Sequence, residues 1–170
     1  MPGIEPPGVV FLDRDGTINV KAQDGEYVTR PEELELVPGA ARAIRRLNEA
    51  GLTAIIVSNQ RAIALGRMTD ADLRAVHSEL ASRLKAEADA HVDAIFHCPH
   101  DHGQCDCRKP STGMFNQASE RFPWIDLSRS VMIGDGASDV EAGRAAGMST
   151  IWIGHDVPNL AAAVDRVLAN

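Results

Sequence analysis

The chain has 170 residues, of which 44% are hydrophobic and 24% are charged, and its formal net charge at pH 7 is −7. This length predicts a single domain over residues 1–170, because a second hydrophobic core would have too little sequence left. The acidic balance and the absence of an apolar run of about 20 residues argue against nucleic-acid and membrane partners.

The chain begins with a short segment that is rich in proline and glycine. Residues 1–8 contain no basic cluster followed by an apolar stretch, which is what a secretion signal requires. We therefore expect a loose N-terminal segment over residues 1–8, a cytoplasmic location and a monomer.

Apolar segments along the chain alternate between strand and helix patterns. Short buried strands are predicted at residues 9–12, 52–57, 92–96, 131–133 and 151–153. Helices are predicted at residues 39–50, 69–90, 114–121, 138–146 and 160–168. Strands separated by helices favour right-handed crossovers. The expected fold is therefore α/β, a Rossmann-like parallel sheet with helices on both faces.

Carboxylates follow the first and the fourth predicted strands. Asp13 and Asp15 come after the first strand, with Gly16 permitting a sharp turn, and Asp135 and Asp139 come after the fourth. Ligands of such sheets bind beyond the carboxyl ends of the strands. Converging carboxylates are costly unless a cation neutralises them, and Mg²⁺ prefers hard oxygen ligands. The pattern favours a magnesium site over a turn with solvated aspartates.

The two other strand ends carry groups that could bind a phosphate. Ser58 and Asn59 offer a hydroxyl and an amide to phosphoryl oxygens, and Lys109 offers a positive charge to the transition state. A Ser-Asn pair is also common in turns, and most lysines are solvated surface residues. The hypothesis of phosphoryl transfer therefore depends on all four strand ends meeting in one cleft.

The three cysteines of the chain are clustered in one loop, at residues 98–107. Three thiolates and one imidazole form the ligand set of a closed, structural zinc site. The candidate ligands are Cys98, His100, Cys105 and Cys107. A metal-free loop, a disulfide between Cys105 and Cys107, and replacement of the imidazole by His97 or His102 stay open as alternatives.

Four segments resemble the signature motifs of the haloacid dehalogenase superfamily of phosphohydrolases. They are residues 11–19, 58–60, 108–110 and 134–139, and the similarity extends over residues 9–155. The resemblance implies that Asp13 is the nucleophile, which forms an aspartyl-phosphate, and that Asp15 is the general acid and then the base. It also implies that Mg²⁺ is held by Asp13, the backbone carbonyl of Asp15 and Asp135, with Asp139 in support.

The cysteine loop is similar to that of the branch containing heptose bisphosphate phosphatases and histidinol-phosphate phosphatases. In that branch the four candidate ligands match a zinc site. With no room for a large cap, residues 20–30 and the zinc loop are expected to shape a minimal cap. Arg108 is then the expected substrate-recognition residue, assisted by Asn59.

This branch implies a small phosphorylated sugar as the substrate, and we favour removal of the C7 phosphate of a heptose 1,7-bisphosphate. The chain departs from the heptose enzymes at two places. It has Arg61-Ala62 where they commonly have a small residue followed by glycine, and it has Gly136 where they often have a lysine. Histidinol phosphate or another small phosphate ester is therefore the alternative substrate. A zinc-stabilised binding module without catalysis and a phosphotransferase are the competing functions.

Overall fold

The computed structural model describes residues 8–170. Most of the predicted loose N-terminal segment thus lies outside the described residues. Gly8 is described, and its N–H donates to the carbonyl of Arg129 at 2.6 Å.

The described chain forms a parallel sheet of five strands. The strands are β1 (Val9–Leu12), β2 (Thr53–Asn59), β3 (Ala94–Cys98), β4 (Val131–Gly134) and β5 (Ser149–Trp152). Their order across the sheet is β3-β2-β1-β4-β5, and every pair is parallel. The first three strands extend to one side and the last two to the other. The direction changes between β1 and β4, which creates a crevice at their carboxyl ends.

Five helices cover the two faces of the sheet. They are α1 (Ala40–Glu49), α2 (Asp70–Ala88), α3 (Gly113–Arg121), α4 (Ala137–Ala145) and α5 (Leu160–Leu168). Val10 and Leu12 of β1 pack into a cluster with residues of α1, α2 and α5. Val9 and Phe11 point to the opposite face, toward α3 and α4, because successive strand residues alternate in direction. The predicted fold class is confirmed.

Several boundaries differ from the expected ones. Strand β2 continues to Asn59 because Ser58 and Asn59 pair with His97 and Cys98 of β3. Strand β3 accordingly lies two residues later than predicted. The apolar pattern missed these positions because a polar residue can take part in the ladder as well as an apolar one. Short 3₁₀ turns at Pro31–Glu33 and Leu127–Arg129 were also not predicted.

The start of α2 agrees with its sequence pattern. The Thr69 hydroxyl accepts a hydrogen bond from the Asp72 N–H, and the Asp72 carboxylate accepts one from the Thr69 N–H. This capping box satisfies two N–H groups that the helix itself cannot pair. Within residues 8–170, every helix is too short or too polar to cross a bilayer.

Candidate active site

A cavity of about 310 Å³ lies at the carboxyl ends of β1, β2 and β4. It brings together seven of the eight residues that were predicted for the phosphate site. Those that line it are Asp13, Asp15, Asn59, Arg108, Lys109, Asp135 and Asp139. The eighth, Ser58, is buried just behind this surface. The strand ends therefore meet in one cleft, as the hypothesis requires.

Lys109 occupies the centre of the cluster and is almost completely buried. Its Nζ donates to Asp13 Oδ1 at 2.9 Å, to Asp139 Oδ1 at 2.6 Å and to the Val57 carbonyl at 2.8 Å. Burial alone would lower the pKa of Lys109, but the negative charges of Asp13 and Asp139 outweigh this effect and raise it. The ammonium group therefore stays charged, and all three of its protons have acceptors.

The carboxylates of Asp13, Asp135 and Asp139 each place one oxygen within 4.8 Å of the others. Burial raises the pKa of Asp13 well above its usual range, and the charges of Asp139 and Asp135 raise it further against the opposing effect of Lys109. This excess of negative charge fits a divalent cation with oxygen ligands. The donor set therefore suits Mg²⁺.

Two glycines allow these carboxylates to approach the backbone. A Cβ at Gly16, whose φ is +83°, would lie 2.2 Å from Asp135 Oδ2. A Cβ at Gly134 would lie 2.2 Å from Asp139 Oδ2. Both positions therefore require a residue without a side chain.

The Asp15 carboxylate lies outside the three-carboxylate cluster and has its own set of donors. Arg14 Nη2 donates to both of its oxygens, at 2.9 and 3.1 Å, Asn19 donates to Oδ1 and Gln60 to Oδ2. Burial raises the pKa of Asp15, but the charge and hydrogen bonds of Arg14, with those of Asn19 and Gln60, lower it below its ordinary value. The role of its backbone carbonyl as a metal ligand stays a prediction.

The side chains of Ser58 and Asn59 already have partners inside the protein. The Ser58 hydroxyl accepts a hydrogen bond from Gln60 at 2.7 Å. The Asn59 amide donates to the Lys109 carbonyl and accepts from the Lys109 N–H. Asn59 thus fixes the backbone that carries the central lysine, and direct contact of either residue with a phosphate stays a prediction.

The outer wall of the cavity consists of residues 21–28 together with Arg61, His102 and Arg108. Arg61 forms an ion pair with Asp101 of the zinc loop, at 2.6 Å, and Arg67 donates to the Gly25 carbonyl at 2.7 Å. Arg108 Nη1 is buried without a hydrogen-bond partner among residues 8–170. Because a buried donor is costly unless it is paired, Arg108 is suited to bind an anionic group of a ligand.

The four predicted zinc ligands also come together. Their ligand atoms, from Cys98, His100, Cys105 and Cys107, all lie within 4.8 Å of one another. The nearest pairs are 3.3 to 3.6 Å apart, which suits atoms that surround one ion at about 2.0–2.3 Å. The alternative histidines lie elsewhere, since His97 approaches Asp70 and His102 lines the cavity.

The thiols of this cluster also favour a metal. All three are free in the structure, so Cys105 and Cys107 do not form a disulfide. Burial raises the pKa of Cys98 and of Cys107, whereas hydrogen bonds, the Arg108 N–H among them, outweigh burial and bring the pKa of Cys105 to about 7. Because a bound cation would stabilise all three thiolates at once, the donor set fits Zn²⁺.

Some residues of the site were not singled out from the sequence. Arg14 and Asn19 contact Asp15, and Trp152 at the end of β5 donates its indole N–H to the Asp135 carbonyl at 3.1 Å. The spacing of Asn19 from Asp15 is a local signal that could have been used. No local signal exists for Trp152, because its contact depends on the pairing of β4 with β5.

Comparison with known proteins gives consistent results. A sequence profile of the haloacid dehalogenase-like hydrolases matches residues 6–147. The chain is 40% identical over 146 residues to D-glycero-beta-D-manno-heptose-1,7-bisphosphate 7-phosphatase of Rhodopseudomonas palustris, covering 81% of this chain and 78% of that one. The enzyme of the same name from Escherichia coli O6:H1 is 39% identical over 150 residues, covering 83% and 76%.

Solved structures show the same relationship. D,D-heptose 1,7-bisphosphate phosphatase from B. bronchiseptica, complexed with magnesium and phosphate, superposes with a TM-score of 0.86 at 30% identity, covering 95% of this chain and 98% of that one. The corresponding enzyme from Burkholderia thailandensis gives a TM-score of 0.68 at 27% identity, covering 96% and 99%. The structural similarity therefore extends over nearly the whole chain.

Proposed function

The chain belongs to the haloacid dehalogenase-like hydrolase family and is a phosphatase, and from this premise we propose that it removes the C7 phosphate of D-glycero-D-manno-heptose 1,7-bisphosphate. The observation that carries the proposal is the contact of Lys109 with Asp13 and Asp139 in a cavity that also contains Asp135 and Arg108. The names of the similar proteins support the substrate. We expect the enzyme to act as a cytoplasmic monomer.

In the first step a carboxylate oxygen of Asp13 attacks the phosphorus, and the bond from phosphorus to the C7 oxygen breaks. Asp15 donates a proton to the leaving alkoxide. Because the pKa of Asp15 is below its ordinary value without substrate, this proton is taken up when the negative phosphate enters the cavity.

In the second step Asp15 accepts a proton from a water molecule that attacks the aspartyl-phosphate. The bond between phosphorus and Asp13 breaks, so that inorganic phosphate leaves and the carboxylate is regenerated. The positive charge of Lys109 balances the phosphoryl oxygens in both steps. Asp13, Asp135 and the backbone carbonyl of Asp15 would hold Mg²⁺, which would supply further positive charge against the phosphoryl oxygens.

The remaining residues have supporting roles in the proposal. Asp139 and Asn59 hold the side chain and the backbone of Lys109. The zinc loop, residues 98–107, fixes the segment that leads into Arg108, and the unpartnered Nη1 of Arg108 binds the second phosphate of the substrate. Zinc held by Cys98, His100, Cys105 and Cys107 would therefore support substrate recognition through this loop and would take no part in the reaction.

Substrate preference is tested by measuring phosphate release with Mg²⁺ from heptose 1,7-bisphosphate and from histidinol phosphate. We expect a much higher kcat/KM for the heptose ester. Efficient turnover of histidinol phosphate with little action on the heptose ester would contradict the proposed substrate and support the alternative.

The role of Arg108 is tested with an Arg108→Leu variant and two substrates, heptose 1,7-bisphosphate and heptose 7-phosphate. Loss of a charge-assisted contact to the second phosphate raises KM for the bisphosphate by about tenfold or more. The monophosphate, which lacks that group, shows a smaller change. An equal change for the two substrates would exclude recognition of the second phosphate by Arg108.

A further inference from the structure

Arg14 lies between the two site aspartates in sequence, but its side chain turns away from the cavity. It is completely buried and does not belong to the residues that line the pocket. Its Nη2 donates to both oxygens of Asp15, and its Nη1 lies 3.2 Å from His77 Nε2 of α2. Its Nε has no partner within residues 8–170. The guanidinium is therefore held by one residue on each side, Asp15 and His77.

The protonation state of His77 follows from this contact. A guanidinium group can only donate hydrogen bonds, so Nε2 of His77 accepts and the ring proton resides on Nδ1. Burial, followed by the positive charge of Arg14, lowers the pKa of His77 to about 3. His77 is thus neutral at physiological pH and acts as a hydrogen-bond acceptor in the interior.

We propose that His77 is a positioning residue for the reaction: by holding Nη1 of Arg14, it orients the guanidinium that fixes the carboxyl group of Asp15 for proton transfer to the leaving group. This inference rests on the proposed role of Asp15 as general acid. It connects α2, which contributes no residue to the cavity lining, to the chemistry at the end of β1. Asn19 and Gln60 also hold Asp15, so loss of His77 impairs the orientation without abolishing it.

The choice of leaving group separates positioning of an acid from a general structural role. An alkyl phosphate needs protonation of its leaving oxygen, whereas p-nitrophenyl phosphate has a leaving group that departs without it. Because Asp15 also serves as the base in the second step, which both substrates share, the comparison uses kcat/KM, which reports the steps up to departure of the leaving group. In His77→Leu, kcat/KM for heptose 1,7-bisphosphate falls by about 10- to 100-fold, the range for a misplaced catalytic group. The kcat/KM for p-nitrophenyl phosphate changes by less than about threefold, because departure of its leaving group does not need Asp15.

Three further variants make the result interpretable. His77→Gln keeps an acceptor that can reach Arg14, and we expect it to restore most of the kcat/KM for the alkyl phosphate. Val76→Ala weakens the buried face of the same helix without touching Arg14, and we expect no leaving-group selectivity. Asp15→Asn is the reference, because it should show the same selectivity as His77→Leu in a stronger form.

The outcomes distinguish this inference from the proposed function. If Asp15→Asn lowers kcat/KM equally for both substrates, the assignment of Asp15 as the acid is wrong. Suppose that Asp15→Asn slows the alkyl phosphate more than p-nitrophenyl phosphate. If His77→Leu then slows both substrates equally, or slows neither of them, the positioning role of His77 is overturned. Failure of His77→Gln to restore activity would also overturn it. Thermal unfolding and zinc content show whether each variant is folded. If His77→Leu does not fold, His77→Asn replaces it, because the asparagine amide is too short to reach Arg14.

Discussion

Lys109 is surrounded by more negative charge than it can neutralise. Its ammonium group bonds Asp13 and Asp139, while Asp135 adds a third carboxylate to the same cluster. Mutual repulsion and burial raise the pKa of Asp13 despite the lysine. The metal-free site is therefore arranged for binding a cation and a phosphate at the expense of stability.

The variant Asp13→Asn tests the effect of this negative charge on stability and on activity. Because the folded-state pKa of Asp13 lies above the usual 3.8, stability is lost as the pH rises from about 3.8 to that folded-state pKa, and the full cost of ionising Asp13 remains at higher pH. Without metal at neutral pH, we expect the variant to melt at a higher temperature than the wild type. Its phosphatase activity falls by at least about 10³-fold, since the nucleophile is lost.

The measurements are thermal unfolding after gel filtration into buffer without Mg²⁺ or chelator, phosphate release, and zinc content as a check of the fold. A lower melting temperature for the metal-free variant would contradict the excess of negative charge at the site. Preserved activity would contradict the role of Asp13.

A substitution at Gly16 tests whether the position of the Asp135 carboxylate determines the affinity for Mg²⁺. In Gly16→Ala the new methyl group would overlap Asp135 Oδ2, so the carboxylate has to move. We expect the Mg²⁺ concentration for half-maximal activity to rise about tenfold or more. The matched control is Gly39→Ala, because Gly39 has a similar φ of +82°, no atom within 4 Å of the added carbon, and no place in the cavity lining. Equal effects of the two variants would show that backbone strain, and not displacement of Asp135, is responsible.

The conformation of the zinc loop depends on its metal ligands more than that of any helix or strand does. Residues 99–107 contain no helix or strand, and the loop ends at Arg108. Asp101 of this loop holds Arg61 at the cavity wall. The loop therefore joins a metal cluster to the substrate side of the cavity.

We expect about one zinc ion per chain in the purified enzyme, because one tetrahedral ligand set is present. Removal of zinc by a chelator lowers the melting temperature and raises KM for the bisphosphate, since Arg108 and Arg61 lose their support. Elemental analysis and calorimetry measure the first two effects, and steady-state kinetics measure the third. A fully active protein that contains no zinc would contradict the assignment of the loop.

The secondary structure elements could largely be predicted from apolar runs. Strand β1 and helix α5 have the predicted bounds, because each is an uninterrupted apolar or amphipathic segment. The end of β2 was missed because Ser58 and Asn59 belong to the sheet and to the site at once. Local polarity indicates a turn at such positions, whereas the pairing with β3 determines the structure.

At the scale of the whole molecule, the burial of His77 couples stability to pH. The pKa of His77 falls from 6.5 to about 3 on folding, so the unfolded chain binds a proton that the folded chain rejects. Stability is therefore lost as the pH falls from about 6.5 toward 3, by at most about 1.4 kcal/mol per pH unit from this residue.

We expect His77→Gln to show a flatter dependence of the free energy of unfolding on pH than the wild type in this interval. The free energy is measured by urea denaturation at pH 7, 6, 5 and 4. His91→Gln serves as the control, because the side chain of His91 is exposed. Parallel curves for His77→Gln and the wild type would contradict the neutral, buried state of His77.

The site could be predicted from the sequence because the topology of a parallel sheet places all carboxyl strand ends together. That rule predicts that Asp13, Asp135 and Lys109 lie in one cleft. Contacts such as Arg14 with His77 and Arg61 with Asp101 could not be predicted. They join residues that are 63 and 40 positions apart, and they depend on how the loops and α2 pack against the sheet.

We expect the gathered strand ends to make Asp13 a nucleophile toward phosphorus. Enzyme mixed with heptose 1,7-bisphosphate and Mg²⁺ is quenched in acid within milliseconds, reduced with borohydride and analysed by peptide mass spectrometry. An acyl phosphate is reduced to an alcohol, so we predict homoserine at position 13 and unmodified aspartate at position 15. Quantitative phosphate release with no modification of Asp13 at any quench time, or with homoserine at position 15, would contradict the role of Asp13 as the nucleophile.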